Sequence, residues 1–270
     1  MICFIIARKP YPEIVMRKPV PSLAIKSFTA NSNGRDFVVG DIHGHFDLLS
    51  SLLNQVNFNV KQDRVFSVGD IIDRGPDSKQ ATDWLREPWF HAVRGNHEQM
   101  IIECISGSGD IARHTRNGGA WLYDLPPIVQ LYISRALHDL PIMIEVALSD
   151  GRKVGIVHAE APLLQEADGW QEAKDSITCD LGEDRQQLAL QMALYSRTKI
   201  DHQDHSPVKG LDQLYVGHST VSNVTRLGNV VYIDTGCSFG DGALSLIELN
   251  TGTISTATMA NSQSYKQWRA

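Results

Sequence analysis

Three short blocks within the first hundred residues constrain the fold more than any other feature of the chain. They read Gly40-Asp41-Ile42-His43-Gly44, Gly69-Asp70-Ile71-Ile72-Asp73-Arg74-Gly75 and Arg94-Gly95-Asn96-His97-Glu98. Each follows an apolar run: Phe37-Val38-Val39, Val65-Phe66-Ser67-Val68 and His91-Ala92-Val93. Short apolar runs bounded by turn residues read as buried strands. Side chains that ligate metals therefore emerge repeatedly where a strand ends and a loop begins. In open α/β sheets, that edge is where sites form. A lone Asp-x-His would be a turn or a helix cap, and Asn96 alone would be an N-cap. All three blocks in this order predict a metal site, and a pair of ions rather than one.

Downstream, His158 follows Gly155-Ile156-Val157 and His218 follows Tyr215-Val216-Gly217. With Asp41, His43, Asp70 and Asn96 they complete a ligand set of carboxylate, imidazole and amide groups. Such a mixture suits manganese, iron or zinc better than calcium, which prefers oxygen alone. From Phe37 onward the pattern alternates strand and helix. Helices are expected over 46–56, 78–86, 97–105, 127–137 and 184–194, and later strands over 141–147, 153–158, 213–217, 229–233 and 243–249. Leu48, Leu49, Leu52 and Leu53 line one face of the first helix. Residues 159–183 and 197–212 read as long polar connections bordering the site. Residues 1–35, with Pro10, Pro19 and Pro21, read as an irregular N-terminal extension. Residues 36–270 are expected to form a single domain that carries the site.

The blocks also resemble the signature of the calcineurin-like metallophosphoesterases. The Asp73-Arg74 pair resembles the phosphoprotein phosphatase branch, and the chain from about Phe37 to about Leu249 is similar to small bacterial and phage Ser/Thr protein phosphatases. Val157-His158-Ala159-Glu160 and Val216-Gly217-His218-Ser219 fit the same pattern. The resemblance implies an α/β fold of two packed sheets flanked by helices. It implies that Asp41 and His43 hold one metal, that Asn96, His158 and His218 hold the other, and that Asp70 bridges them. Dications in such sites lie about 3.5–4 Å apart and make hydroxide available near neutral pH. A bridging hydroxide would then attack phosphorus directly, with no phosphoenzyme. The resemblance also pairs Asp73 with His97, which suits a general acid. Arg74 and Arg197 are the expected phosphate clamps, since guanidinium matches phosphate oxygens in a bidentate way. Manganese is the expected metal, with iron or zinc as alternatives.

The expected activity is hydrolysis of phosphomonoesters, on phosphoproteins first. A hydrolase of diadenosine tetraphosphate is the alternative, from a sister branch that characteristically lacks an Asp at the place of Asp73. A non-catalytic scaffold would have lost ligands or the acid, and none is lost here. The formal charge of -6 argues against a general nucleic-acid binder, which needs a basic face. No apolar run approaches the length of a membrane span. The four cysteines, Cys3, Cys104, Cys179 and Cys237, form no Cys-x-x-Cys pair, and mostly buried, reduced thiols are expected. These features point to a cytoplasmic protein. His45 is expected to start the first helix and His91 a strand. His114, His138, His202 and His205 read as surface or loop residues, Asp234 as structural, and Gly118-Gly119 as a tight turn at the site's rim.

Overall fold

The computed structural model describes residues 24–261. In the first of its two sheets, β2 (Asp36–Val39), β3 (Arg64–Ser67) and β4 (Phe90–Ala92) run parallel. Strand β10 (Ala243–Glu248) lies antiparallel beside β2, and β11 (Ile254–Thr258) closes the edge. The second sheet has the order β1-β5-β6-β7-β9-β8, from β1 (Ile25–Phe28), β5 (Met143–Ala147), β6 (Lys153–Val157), β7 (Gln213–Val216), β8 (Thr225–Leu227) and β9 (Val230–Tyr232).

Alternating side chains explain why the sheets stack. Successive residues of a strand face opposite sides. Val38 and Phe66 therefore point between the sheets, where they meet Ile144, Ile156, Tyr215 and Val231. Phe37, Val39 and Val65 point outward against helices α1 (Phe46–Gln55), α3 (Asn96–Ser106) and α6 (Pro127–His138). On the far side, Met143, Val157, Leu214 and Val216 face α7 (Trp170–Thr178) and α8 (Glu183–Tyr195). The result is four layers, helix, sheet, sheet and helix. Leu48, Leu49, Leu52 and Leu53 of α1 are all fully buried, and each such side chain contributes about 1.5–3 kcal/mol.

Register places the site. Val39 stands opposite Ser67, and Ser67 opposite Ala92, so the three parallel strands end at one level. Ile156 stands opposite Tyr215, so β6 and β7 end together as well. Asp41, Asp70 and Asn96 leave the first sheet at its carboxyl edge, and His158 and His218 leave the second at its own. The stacked sheets bring the two edges together.

Several expectations need correction. Residues 25–28 are strand β1, paired in parallel with β5, and not irregular extension. Ile-Lys-Ser-Phe has too weak an alternation to mark a strand; its distant partner makes it one. Residues 1–23 of that extension, including Cys3, lie outside the described residues. The helix expected over 78–86 divides into a 3₁₀ turn, Ser78–Gln80, and a short α2 (Ala81–Trp84). The connection over 159–183 contains α7, whose Trp170, Ala173 and Ile177 form a buried stripe, and that over 197–212 contains a short α9 (Thr198–Asp201). Cys104 and Cys237 are buried, whereas Cys179 is exposed. Among the described residues no helix is long and apolar enough to cross a membrane.

Candidate metal and active site

Asp70 is the centre of the site. Its Oδ1 accepts the backbone N–H of His97 at 2.9 Å. Its Oδ2 faces His158 Nε2 at 3.4 Å, and His43 Nε2 and His97 Nε2 at 3.8 Å each. Ligand atoms of Asp41, Asp70 and His158 lie within 4.8 Å of one another, as do those of His43, Asp70 and His97. One carboxylate is thus common to both groups.

The candidate histidine ligands share a second feature. His43 Nδ1 donates to the Ile72 carbonyl at 3.0 Å, and His158 Nδ1 to that of Val68 at 2.8 Å. His218 Nε2 donates to the Tyr195 carbonyl at 3.1 Å. A ring nitrogen facing a carbonyl carries the proton, which leaves the other with its lone pair and fixes the ring. The freed His218 Nδ1 lies 2.8 Å from Asn96 Oδ1. Two acceptors at that distance repel unless a cation lies against both. His158 Nε2 converges on the same oxygen at 2.9 Å.

Electrostatics fit cations too. Asp41, Asp70, Asp234 and Glu98 are all buried around these imidazoles. Buried charge is costly unless paired or bound to metal. Burial, reinforced by the charge of Asp234, pushes the Asp41 carboxyl well above its ordinary range. Burial opposes ionisation of Asp70 too, but the facing His158 and His97 hold it well below that range. Burial pushes His43 and His218 down to about 3, which keeps both neutral as ligation requires. Burial opposes charge on His158 too, but Asp70 and Asp41 push it up to about 10, so there the imidazolium proton holds the place a cation would take. The donor set therefore suits divalent metals.

Backbone strain is concentrated here. His43, Asp70, Asp73, Arg74 and His218 have φ of 46°, 48°, 69°, 67° and 62°. Among the described residues only Asn57 and Gln203 are other non-glycine residues with positive φ. Such conformations cost on the order of 1–3 kcal/mol each and gather at functional sites. Gly95 meets a tighter demand, since a Cβ there would overlap Asp70 Oδ1.

The other expected residues also gather here. His97 Nδ1 lies 2.7 Å from Asp73 Oδ2. Arg74 is exposed and places Nη1 2.6 Å from His43 Nε2 and Nη2 3.2 Å from His97 Nε2. Its guanidinium also lies 4.7 Å from the centre of the Phe239 ring. Arg197 is exposed and donates to the His218 carbonyl at 3.0 Å. Asp234 accepts from Thr220 Oγ1 at 2.8 Å and from the Gly236 N–H at 3.0 Å.

Sequence reasoning missed three residues. Glu98 accepts backbone N–H groups of Gly95, Asp70 and Ile71 at 2.7, 2.8 and 2.9 Å. A Glu in the third position of a helix is the signal that could have found it. His114, expected on the surface, is fully buried and lies 3.0 Å from Asp73 Oδ2. Trp121 donates to Asp73 Oδ1 at 2.8 Å. Neither carried a sequence signal, because both contacts span more than forty positions.

The family model for calcineurin-like phosphoesterases matches residues 37–221. The chain is 34% identical to Serine/threonine-protein phosphatase 2 of Escherichia coli, over 85% of this chain and 100% of that one. It is 35% identical to Serine/threonine-protein phosphatase 1 of Salmonella typhimurium, over 79% of this chain and 91% of that one. A symmetrical bis(5'-nucleosyl)-tetraphosphatase of Actinobacillus pleuropneumoniae matches over only 26% of this chain and 27% of its own, at 38% identity. The fold is similar to that of a cold-active protein-tyrosine phosphatase of a psychrophilic Shewanella. That likeness has a TM-score of 0.55 and 18% identity, and covers 86% of this chain and 82% of that one.

Proposed function

Because the chain belongs to the calcineurin-like phosphoesterase family, we propose that it is a phosphoprotein phosphatase acting on phosphoserine and phosphothreonine, with two divalent ions and manganese preferred. The chain is a metal-dependent phosphatase. In the proposed site Asp41 and His43 would hold one ion, Asn96, His158 and His218 would hold the other, and Asp70 would serve both. When bound, such ions lower the pKa of water and neutralise phosphoryl charge.

The chain's own groups do the rest. Arg74 and Arg197 meet the phosphoryl oxygens, as charge-assisted donors do. His97 Nε2 gives its proton to the leaving alcohol oxygen as the P–O bond breaks, and water supplies the new oxygen on phosphorus. Asp73 accepts the hydrogen bond from His97 Nδ1–H and stabilises the imidazolium. Burial opposes charge on His97, but Asp70 and Asp73 push its pKa above the ordinary value, as a proton donor near neutral pH requires. The free thiols of Cys104, Cys179 and Cys237 suit a reducing compartment, and the cytoplasm is the proposed location.

The observation that carries this reading is Asp70 Oδ2, faced by three imidazoles, beside the His97–Asp73 pair. The test compares a phosphoserine protein, an aryl phosphate and diadenosine tetraphosphate with purified, manganese-loaded protein. Phosphomonoesters should be preferred. A preference for the dinucleotide would overturn the substrate while leaving the metal chemistry standing.

A further inference from the structure

Asp73 is fully buried, and its carboxylate is held at both oxygens. His97 Nδ1 at 2.7 Å and His114 Nε2 at 3.0 Å meet Oδ2, and Trp121 Nε1 donates to Oδ1 at 2.8 Å. The donors come from separate elements: His97 from α3, His114 from α4 (Ile111–His114) and Trp121 from α5 (Ala120–Tyr123). His114 is itself held at its far side, where Nδ1 lies 2.7 Å from the Tyr123 hydroxyl. The π-helical turn Thr115–Gly119 joins α4 to α5, and a Cβ at Gly119 would overlap the His114 ring. The same turn reaches the phosphate side of the site, where the Gly118 carbonyl accepts the Arg74 N–H at 3.3 Å.

Nothing in the proposed chemistry uses His114, although it is buried with both ring nitrogens engaged. A carboxylate bonded only to His97 could turn about its Cβ–Cγ bond and tilt the imidazole with it. Held by three donors, it keeps one orientation. We propose that His114 is a positioning residue for proton donation: it holds Asp73 Oδ2 on His97 Nδ1, and so keeps His97 Nε2 aimed at the leaving oxygen. Trp121 does the same at the other oxygen. The proposal rests on the reading of His97 as the acid, and it adds α4 and α5 to the catalytic apparatus.

A residue that positions the acid has a signature that a merely structural one lacks. Alkyl phosphates need a protonated leaving group, whereas nitrophenyl phosphate does not. His114→Phe should therefore slow kcat on a phosphoserine peptide by about 10–100-fold, by analogy with the loss when groups orienting a metal-ligating histidine are removed. The loss on nitrophenyl phosphate should be under about threefold, since little proton donation is needed there. Bound metal, measured by elemental analysis, should be unchanged. His114→Gln keeps an N–H within reach of Asp73 and should restore most of the peptide activity. In a His97→Asn background His114→Phe should have no further effect, because residues acting through one group are not additive.

Equal losses on both substrates, or a full further loss in the His97→Asn background, would overturn the role of His114. If His97→Asn alone slows both substrates equally, the acid assignment itself fails, which is a separate result. Trp121→Phe removes the indole N–H together with part of the ring, and it carries the same substrate comparison if His114→Phe does not fold. Equal losses there would count equally against the proposal.

Discussion

The Glu98 carboxylate accepts the backbone N–H of Asp70 at 2.8 Å and ties the first turn of α3 to the loop that leaves β3. The same carboxylate accepts the N–H groups of Gly95 and Ile71. Burial, with the charge of Asp70, pushes its pKa up to about 7. Glu98→Gln would turn an amide NH₂ toward one or more of these N–H groups. It should cost about 1–3 kcal/mol, the range for an unsatisfied buried polar group. Metal affinity should fall with it, because Asp70 shifts. Urea unfolding and metal titration measure the two effects, and an unchanged affinity would separate Glu98 from the site.

Chelation should abolish phosphatase activity, and added manganese should restore it. Asp70→Asn should weaken binding of both ions together, since its Oδ2 faces His43 and His158 alike. Calorimetric titration reads this directly. Loss of one ion with full retention of the other would show that the carboxylate is not shared.

Arg74→Ala should leave metal content intact and lower turnover. Removing a preorganised charge donor costs about 2–4 kcal/mol at the transition state. Inhibition by inorganic phosphate should weaken in parallel. The guanidinium also touches Ser238 at 3.4 Å, so a Ser238→Ala control separates loop disturbance from loss of the charge. Wild-type kinetics in Arg74→Ala would remove it from the site.

Away from the site, Glu145 accepts from Lys174 Nζ at 3.0 Å and from Trp170 Nε1 at 2.8 Å. Burial pushes this carboxyl up, but Lys174 and Trp170 more than offset it and hold the pKa below its ordinary value. A depressed folded pKa gives stability that is present above the unfolded value and lost as pH falls through the folded one. Lys174→Met should therefore destabilise by about 1 kcal/mol or less at pH 7, as partly exposed pairs do. The difference should shrink below about pH 4, where unfolded glutamate takes up its proton. Urea midpoints at neutral and acid pH test it, and a pH-independent difference would argue for packing alone.

Local pattern made much of the fold readable. Buried strands before Asp41, Asp70 and Asn96 are short apolar runs, and α1 is a leucine stripe of helical period. Each is specified by neighbours in sequence. Strand β1 was not readable, because its residues, three half-buried and one exposed, become a strand only beside β5. Helix α7 was obscured by polar residues between Trp170, Ala173 and Ile177.

By itself the sequence determined which chemistry could be assembled: carboxylate, imidazole and amide groups at strand ends, with Asp-Arg close behind. It did not determine the enclosure of Asp73. The tertiary structure decided that His114 and Trp121, 41 and 48 positions away, share that carboxylate with His97. It also decided that Glu98 serves the backbone of two loops at once. The physical reason is range. A motif records residues whose spacing along the chain is set by one turn or one strand end. Hydrogen bonds between separate helices depend on how whole layers pack, and packing leaves no fixed interval in the sequence.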